Sequence, residues 1–252
     1  MTAAPSQSSP RLRPADAYLH LRRLLVGGGI PPGARVTEAE LSARLRVSRT
    51  PVREAMRRLM AEGLLVSDGG GARPRMAAAP VGAADVAELY QAAGALEGIV
   101  ARGVTALSAA ERRRLADQMR RYDAAFRAVT RQRPLDYDAL FERHDAFHRA
   151  LHDACAGATI RALFEAMRAR LDRYEWLYAP LIGPDFSATY DEHAAIIAAV
   201  RAGGAAAAER AVRANWFNGG ERLAAVLSDD AASTSLVVRR MPSLRGRGDR
   251  AG

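Results

Sequence analysis

Val52, Ala55, Met56, Leu59 and Met60 constrain the fold of this chain more than any other feature. They fall at i, i+3, i+4, i+7 and i+8 and so form one apolar face of a helix. Arg49, Arg53, Arg57 and Arg58 lie outside that face. Thr50 with Pro51, or Ser48, is a fitting N-cap, and Gly63 ends the helix. Just upstream, Thr37-Glu38-Ala39-Glu40 has the pattern of a capping box. It opens a second helix whose core face is Ala39, Leu41 and Leu45, ending near Val47. An earlier helix, about Ala15 to Val26, carries Tyr18, Leu21 and Leu25 as its stripe. Gly27-Gly28-Gly29 and Pro31-Pro32-Gly33 stop it and turn the chain. After Gly63, Leu64 to Ser67, Asp68 to Ala72 and Arg73 to Met76 read as strand, glycine turn, strand. Three short helices and a hairpin make a winged helix-turn-helix. The second helix braces the third across a short turn, and the third presents its polar N-terminal half to a DNA major groove. A tip of three glycines lets the wing backbone approach a phosphate closely. The competing reading is a small helical bundle with a solvated arginine face.

Charge is unevenly spread in a way that supports the first reading. All 37 basic residues are Arg. Residues 1–75 carry 13 Arg against 6 acids, whereas residues 76–238 carry 19 against 21. Only the first third is therefore expected to meet a polyanion. A GC-rich genome would explain the missing Lys but not the asymmetry. No long apolar run signals a membrane span, and the N-terminus lacks the apolar core of a secretion signal, so the expected location is the cytoplasm. The single cysteine, Cys155, excludes an internal disulfide framework and reads as a small core hydrophobe.

The chain divides into a polar arm over 1–14, the winged domain over 15–78, a helical domain over 81–228 and a basic tail over 229–252 that reads as disordered. The third segment shows no strand alternation. Six helices are expected near 84–106, 109–130, 135–156, 159–179, 187–202 and 204–228. Asp85-x-x-Glu88, Ser108-x-x-Glu111 and Thr189-x-x-Glu192 are their start signals. The fold class is thus mostly α, an N-terminal winged helix-turn-helix with a small β-hairpin and a C-terminal helical bundle able to hold a ligand in its core.

Histidines mark the place for that ligand. His144 and His148 are one turn apart on one helix, His152 continues the stripe, and His193 lies on a later helix. Two imidazoles at i, i+4 and a third from another helix suit a transition metal, although a hydrogen-bonded core histidine is the commoner use. His144-Asp145-Ala146-Phe147-His148 also approaches the HExxH motif of zinc peptidases, with Asp145 as general base. Asp is short for that task, no sheet is visible to shape a cleft, and a hydrolase would leave the basic N-terminal module unexplained. A DNA-binding protein of purely architectural role would lack the ligand pocket that the histidines suggest.

Two resemblances sharpen these expectations. Ser48-Arg49-Thr50-Pro51-Val52-Arg53-Glu54-Ala55, with Pro-Gly after the first helix and Glu-Gly-Leu before the wing, resembles the DNA-binding domain of GntR-family bacterial transcription regulators over Ala15 to about Met76. The resemblance implies that Arg49 and Arg53 touch DNA, that Ser48 and Thr50 bind phosphate, and that Gly70 and Arg73 lie on the wing. The second half resembles the FCD ligand-binding domain of the FadR subgroup. Glu88-Leu89-Tyr90, Leu96-Glu97-Gly98, Phe147-His148-x-x-Leu151, Glu192-His193-x-x-Ile196 and Arg213-x-Asn215-Trp216 carry that likeness. It implies a divalent metal (zinc, nickel or manganese) at His144, His148, His193 and Asn215. Two of these depart from the family pattern: His144 replaces an acid or amide, and Asn215 replaces a histidine. Ala93 stands where the family's pocket arginine would be, which argues against a simple carboxylate clamp. Implied partners are double-stranded operator DNA, a small-molecule effector such as an organic acid, and a second copy of the chain as a homodimer. The implied role is a ligand-responsive regulator, a repressor in sign, and not an enzyme.

Overall fold

A computed structural model describes residues 16–68, 75–183 and 185–228. The arm over 1–14, the tail over 229–252, Gly70 and Arg73 lie outside the described residues. The N-terminal half comprises α1 (Ala17–Val26), β1 (Arg35–Val36), α2 (Glu38–Leu45), α3 (Arg49–Ala61), β2 (Leu65–Asp68) and β3 (Arg75–Ala78). The expected capping box is present: Thr37 Oγ1 accepts from the Glu40 backbone N–H, and Glu40 returns the bond to the Thr37 N–H at 3.0 Å. Ser48, rather than Thr50, is the N-cap of α3. Pro51 sits inside the first turn, where a helix has no use for its missing N–H. The turn between α2 and α3 passes through Arg46 in the left-handed conformation, and Ser42 Oγ donates to the Val47 carbonyl at 2.5 Å. The hairpin acquires a third strand that the sequence reading lacked. β1 is only two residues long and shows no alternation, yet it pairs antiparallel with β3, giving the order β1-β3-β2.

Val52, Ala55, Met56 and Leu59 of α3 are buried against Leu21, Leu25, Leu41 and Leu45. Full burial of each such leucine stabilises the domain by ~1.5–3 kcal/mol. Met60 and Ala39, expected in the core, are exposed, because each lies just past the edge of its helix's buried stripe.

The second half contains α4 (Ala83–Arg102), a 3₁₀ turn over Gly103–Ala106, α5 (Ala109–Thr130), α6 (Tyr137–Cys155), α7 (Ala158–Ile182), α8 (Ser187–Ala202) and α9 (Ala205–Ser228). These match the six expected helices, with α7 continuing through Pro180. Ser108 and Glu111 form the expected capping box on α5. The other two start signals serve different purposes. α4 begins after Gly82, and Asp85 instead pairs with Arg170 and accepts from the Tyr174 hydroxyl. Thr189 is buried inside α8, and Glu192 reaches across to α9. Cys155 is half-buried against the bundle core.

The two halves share a seam along α7. Ala169 and Trp176 of α7 belong to the N-terminal apolar core, while Leu171, Tyr174 and Leu177 belong to the bundle core. Gly63, after α3, is required twice over. Its φ is +71°, and a Cβ there would lie 2.9 Å from Cδ of Arg170.

α4 and α9 are the most extensively packed helix pair, and glycines let them approach. A Cβ on Gly220 would lie 2.9 Å from Cβ of Tyr90, an atom that cannot move without its backbone, whereas one on Gly219 would lie 3.5 Å from Tyr90 Cε1, an ordinary contact. Gly219→Ala should therefore raise stability by ~0.5–1 kcal/mol through helix propensity. Gly220→Ala should lower it, because overpacking of ~1–3 kcal/mol outweighs that gain. Urea midpoints of the two variants should move in opposite directions from wild type.

Candidate functional site

On the N-terminal domain, Arg49, Thr50 and Arg53 stand exposed on the first turns of α3, with Ser48 exposed at its cap. Arg53 is held in a two-bond fork by Glu38 of α2, Nε to Oε1 at 2.7 Å and Nη2 to Oε2 at 2.8 Å. The same planar fork that suits a carboxylate suits a phosphate or a guanine edge. Glu38 therefore ties α2 to α3 and keeps the Arg53 guanidinium ordered at the surface.

In the bundle, α6 and α8 bring His144, His148 and His193 together, their ligating atoms all within 4.8 Å of one another. Two of the three rings are aimed by carboxylates. His148 Nδ1 lies 3.0 Å from both oxygens of Glu97 on α4, a fully buried carboxylate that also accepts the Trp216 indole N–H from α9. His193 Nδ1 lies 2.9 Å from Asp123 Oδ1 on α5, whose other oxygen takes Arg127 Nε at 2.7 Å. With Nδ1 so engaged, Nε2 of His148 and Nε2 of His193 are buried with no hydrogen-bond partner. Behind His144 stands Glu175 of α7, its Oε2 4.0 Å from His144 Nδ1. His152 continues the stripe, buried, with Nε2 3.9 Å from Glu97 Oε1.

The electrostatics divide the histidines. Burial disfavours the His144 cation first, and the neighbouring His148 and His193 add to that, so His144 titrates well below the ordinary value. Burial likewise holds His193 down, against the pull of Asp123. His148 is also penalised by burial, but Glu97 more than offsets this and raises it. Glu175, desolvated and only partly compensated by Arg168, is pushed up to about 7.

The cluster opens on a cavity of about 660 Å³, its open mouth included. Its walls are aromatic, with Tyr90, Phe126, Trp176, Tyr178 and Trp216 among them, and Arg222 and Asn215 bring polar atoms. Asn215 is buried and its amide nitrogen donates to Glu192 Oε2 at 3.0 Å, so its oxygen is the one donor it can offer a ligand. Ala93, buried in the bundle core, brings no charge to this region.

This arrangement tests the metal reading on its own donors. Imidazole is a good ligand for transition metals, and a carboxylate on Nδ1 fixes the tautomer that leaves Nε2 free to bind. Orphaned Nε2 atoms in a desolvated pocket cost free energy unless something binds them. The residues fit such a metal. They do not fit the peptidase reading. Asp145 is tied to Arg149 and Arg168 and lines a second, polar cleft rather than the aromatic cavity. The cavity also speaks against a purely architectural role.

Sequence reasoning missed Asp123 and Glu175. Both are acids at core-facing positions: Asp123 falls between Met119 and Phe126 of α5, and Glu175 between Leu171 and Tyr178 of α7. An acid inside an apolar stripe was the available signal.

Among the described residues no helix is long and apolar enough to cross a membrane. Residues 14–73 match the model for bacterial regulatory proteins of the gntR family, and residues 88–216 match the FCD domain. The HTH-type transcriptional regulator LutR of Bacillus subtilis is 31% identical over 216 residues, covering 77% of this chain and 94% of that protein. A probable D-xylose utilization operon transcriptional repressor of Paenarthrobacter nicotinovorans is 32% identical over 186 residues, covering 73% and 77%. The solved structure of E. coli McbR/YncC shares the fold with a TM-score of 0.56 at 20% identity, covering 88% of this chain and 96% of that one. The chain belongs to the GntR family of bacterial transcription regulators, with a winged helix-turn-helix that binds DNA joined to an FCD domain.

Proposed function

We propose that this regulator is a repressor that binds a palindromic operator as a homodimer and responds to a small organic acid held beside a metal in the FCD cavity. The observation that carries the effector half is the pair of carboxylate-anchored histidines whose Nε2 atoms lack partners beside the aromatic cavity. His144, His148 and His193 would hold a divalent metal such as zinc, nickel or manganese, with the Asn215 oxygen as a weak fourth donor. The metal would supply a Lewis-acidic anchor for an oxygen-bearing ligand. Arg222, already paired with Glu192, and the aromatic walls would orient the ligand's remainder. A cytoplasmic location follows from a role on chromosomal DNA.

For DNA, Ser48 and Thr50 are assigned to phosphates, Arg49 and Arg53 to base edges, and Gly70 and Arg73 to the wing. The exposed Ile99 on α4 and Phe217 on α9 support a face for a second copy. The division of labour places DNA reading in residues 15–78 and sensing and dimerisation in 81–228.

Three outcomes test this reading. Arg49→Ala or Arg53→Ala should cost ~1–3 kcal/mol on the operator, measured by fluorescence anisotropy at matched salt, with circular dichroism unchanged. Wild-type affinity in both variants would remove the base-reading assignment. Elemental analysis of untagged protein should find one transition metal per chain, lost in His148→Ala and in His193→Ala. A protein that takes up no zinc, nickel or manganese would return the histidines to a structural role.

The metal-free protein should lose stability as pH falls through about 6.5. His144, His152 and His193 sit below that value in the fold, so the unfolded chain binds their protons first. Glu175 opposes this in part, because the fold takes up its proton near 7 and the unfolded chain only near 4.5. His148, raised in the fold, contributes stability below about 6.5 that is lost as pH rises through its folded value. His20, lowered by its own burial, adds to these, so four depressed histidines stand against one raised histidine and one raised carboxyl. The urea midpoint should therefore be lower at about pH 5.5 than at about pH 7, and His144→Gln should flatten the difference.

A further inference from the structure

Among the described residues around the histidines, Glu175 is the carboxylate whose burial is least compensated. Its side chain is only 7% exposed, and Oε2 has no hydrogen-bond partner. Arg168 Nη2 lies 3.9 Å and His144 Nδ1 4.0 Å from that oxygen, neither close enough for a hydrogen bond. A poorly matched carboxylate in such a place is costly, so its position asks for a closer partner than these two.

The two neighbouring histidines show what that partner is. Glu97 meets His148 Nδ1 at 3.0 Å, and Asp123 meets His193 Nδ1 at 2.9 Å. Glu175 faces the same atom of the third ring from a third direction, about one ångström too far away. The carboxylates come from α4, α5 and α7, one behind each imidazole. A cation on the other ring nitrogen of His144 would make its Nδ1–H a stronger donor. It would also add to the positive charge that Arg168 supplies only from 3.9 Å.

We propose that Glu175 is a positioning residue. It closes onto His144 Nδ1 when a metal binds and completes a set of three imidazoles, each backed by its own carboxylate. This rests on the metal reading above and adds to it a residue, a direction of movement and a metal class. Three nitrogen donors with the carboxylates in the outer layer favour zinc, nickel or cobalt over manganese or magnesium, which prefer direct oxygen ligands.

The test uses full-length protein and Co²⁺, read by competition with a chromophoric chelator and by the visible d–d spectrum. Glu175→Gln keeps the shape of the side chain and removes its charge. It should weaken Co²⁺ binding ~10–100-fold and change the spectrum. The reference pair is His144→Asp with and without Glu175→Gln. There the first ligand is an acid with no Nδ1–H to offer, so Glu175 has nothing to position and Glu175→Gln should weaken binding only ~2–3-fold, through the loss of a nearby negative charge. This collapse of the effect in the His144→Asp background is the readout that a merely structural role would not produce. Wild-type affinity in Glu175→Gln, or equal losses in both backgrounds, overturns the inference and leaves the metal reading standing. A wild-type protein that takes up no Co²⁺, Ni²⁺ or Zn²⁺ overturns both.

Discussion

Everything in this molecule depends on α7 being buried on two sides. Ala169 and Trp176 lie in the DNA-binding core, and Leu171, Tyr174 and Leu177 lie in the bundle core. A helix with apolar residues on two faces cannot be satisfied by either domain alone. A polar contact crosses the same seam, where Arg22 of α1 pairs with Asp172. The N-terminal module therefore does not hang from a linker. It uses a helix from the sensing domain as part of its own wall, with Tyr137 and Phe141 of α6 packed beside it.

The interior of the bundle follows from one electrostatic rule. A buried charge must be matched or neutralised. Against the cost of burial, Glu97 is held below the ordinary carboxylate value at zero exposure because His148 lies against it and the Trp216 indole N–H reaches it. Asp123 does so through His193 and Arg127. Glu175 has no such match and moves toward neutrality instead. The same desolvation that depresses His144 and His193 keeps those imidazoles unprotonated, which is the form a metal ligand needs.

The winged domain and all six bundle helices were legible in the sequence because each rests on local signals. The Thr37 and Ser108 capping boxes and the α3 stripe are decided within a turn or two of chain. The His144–His148–His193 cluster was legible for the same reason, with i, i+4 spacing on α6 and one distant addition. What was not legible depends on partners far away in sequence. β1 is a strand only because Arg35 and Val36 meet Ala77 and Met76. Asp85 looks like a cap until Arg170, 85 residues on, claims it. Asp123 and Glu175 become meaningful only once α5 and α7 are placed behind the histidines. The Arg53–Glu38 fork falls between these cases, being short-range but requiring the α2–α3 angle.

These charges also form a continuous path between the two sites. Asp145, next to His144 on α6, pairs with Arg168 of α7. Arg168 Nε lies 2.7 Å from Asp172 Oδ1, and Asp172 pairs with Arg22 of α1. Arg168 also stands 3.9 Å from Glu175, so one guanidinium touches both the histidine site and the chain of pairs leading to the DNA-binding domain. A ligand shifts a conformational equilibrium only by binding its two states differently. Arg168 cannot follow one acid without slackening its hold on another, and in a desolvated setting each such exchange carries a substantial energy. Glu175 and Trp176 are consecutive residues, one facing the histidines and the other the winged-helix core. Any rotation of α7 that brings the carboxylate toward His144 must therefore turn the indole within the DNA-binding domain.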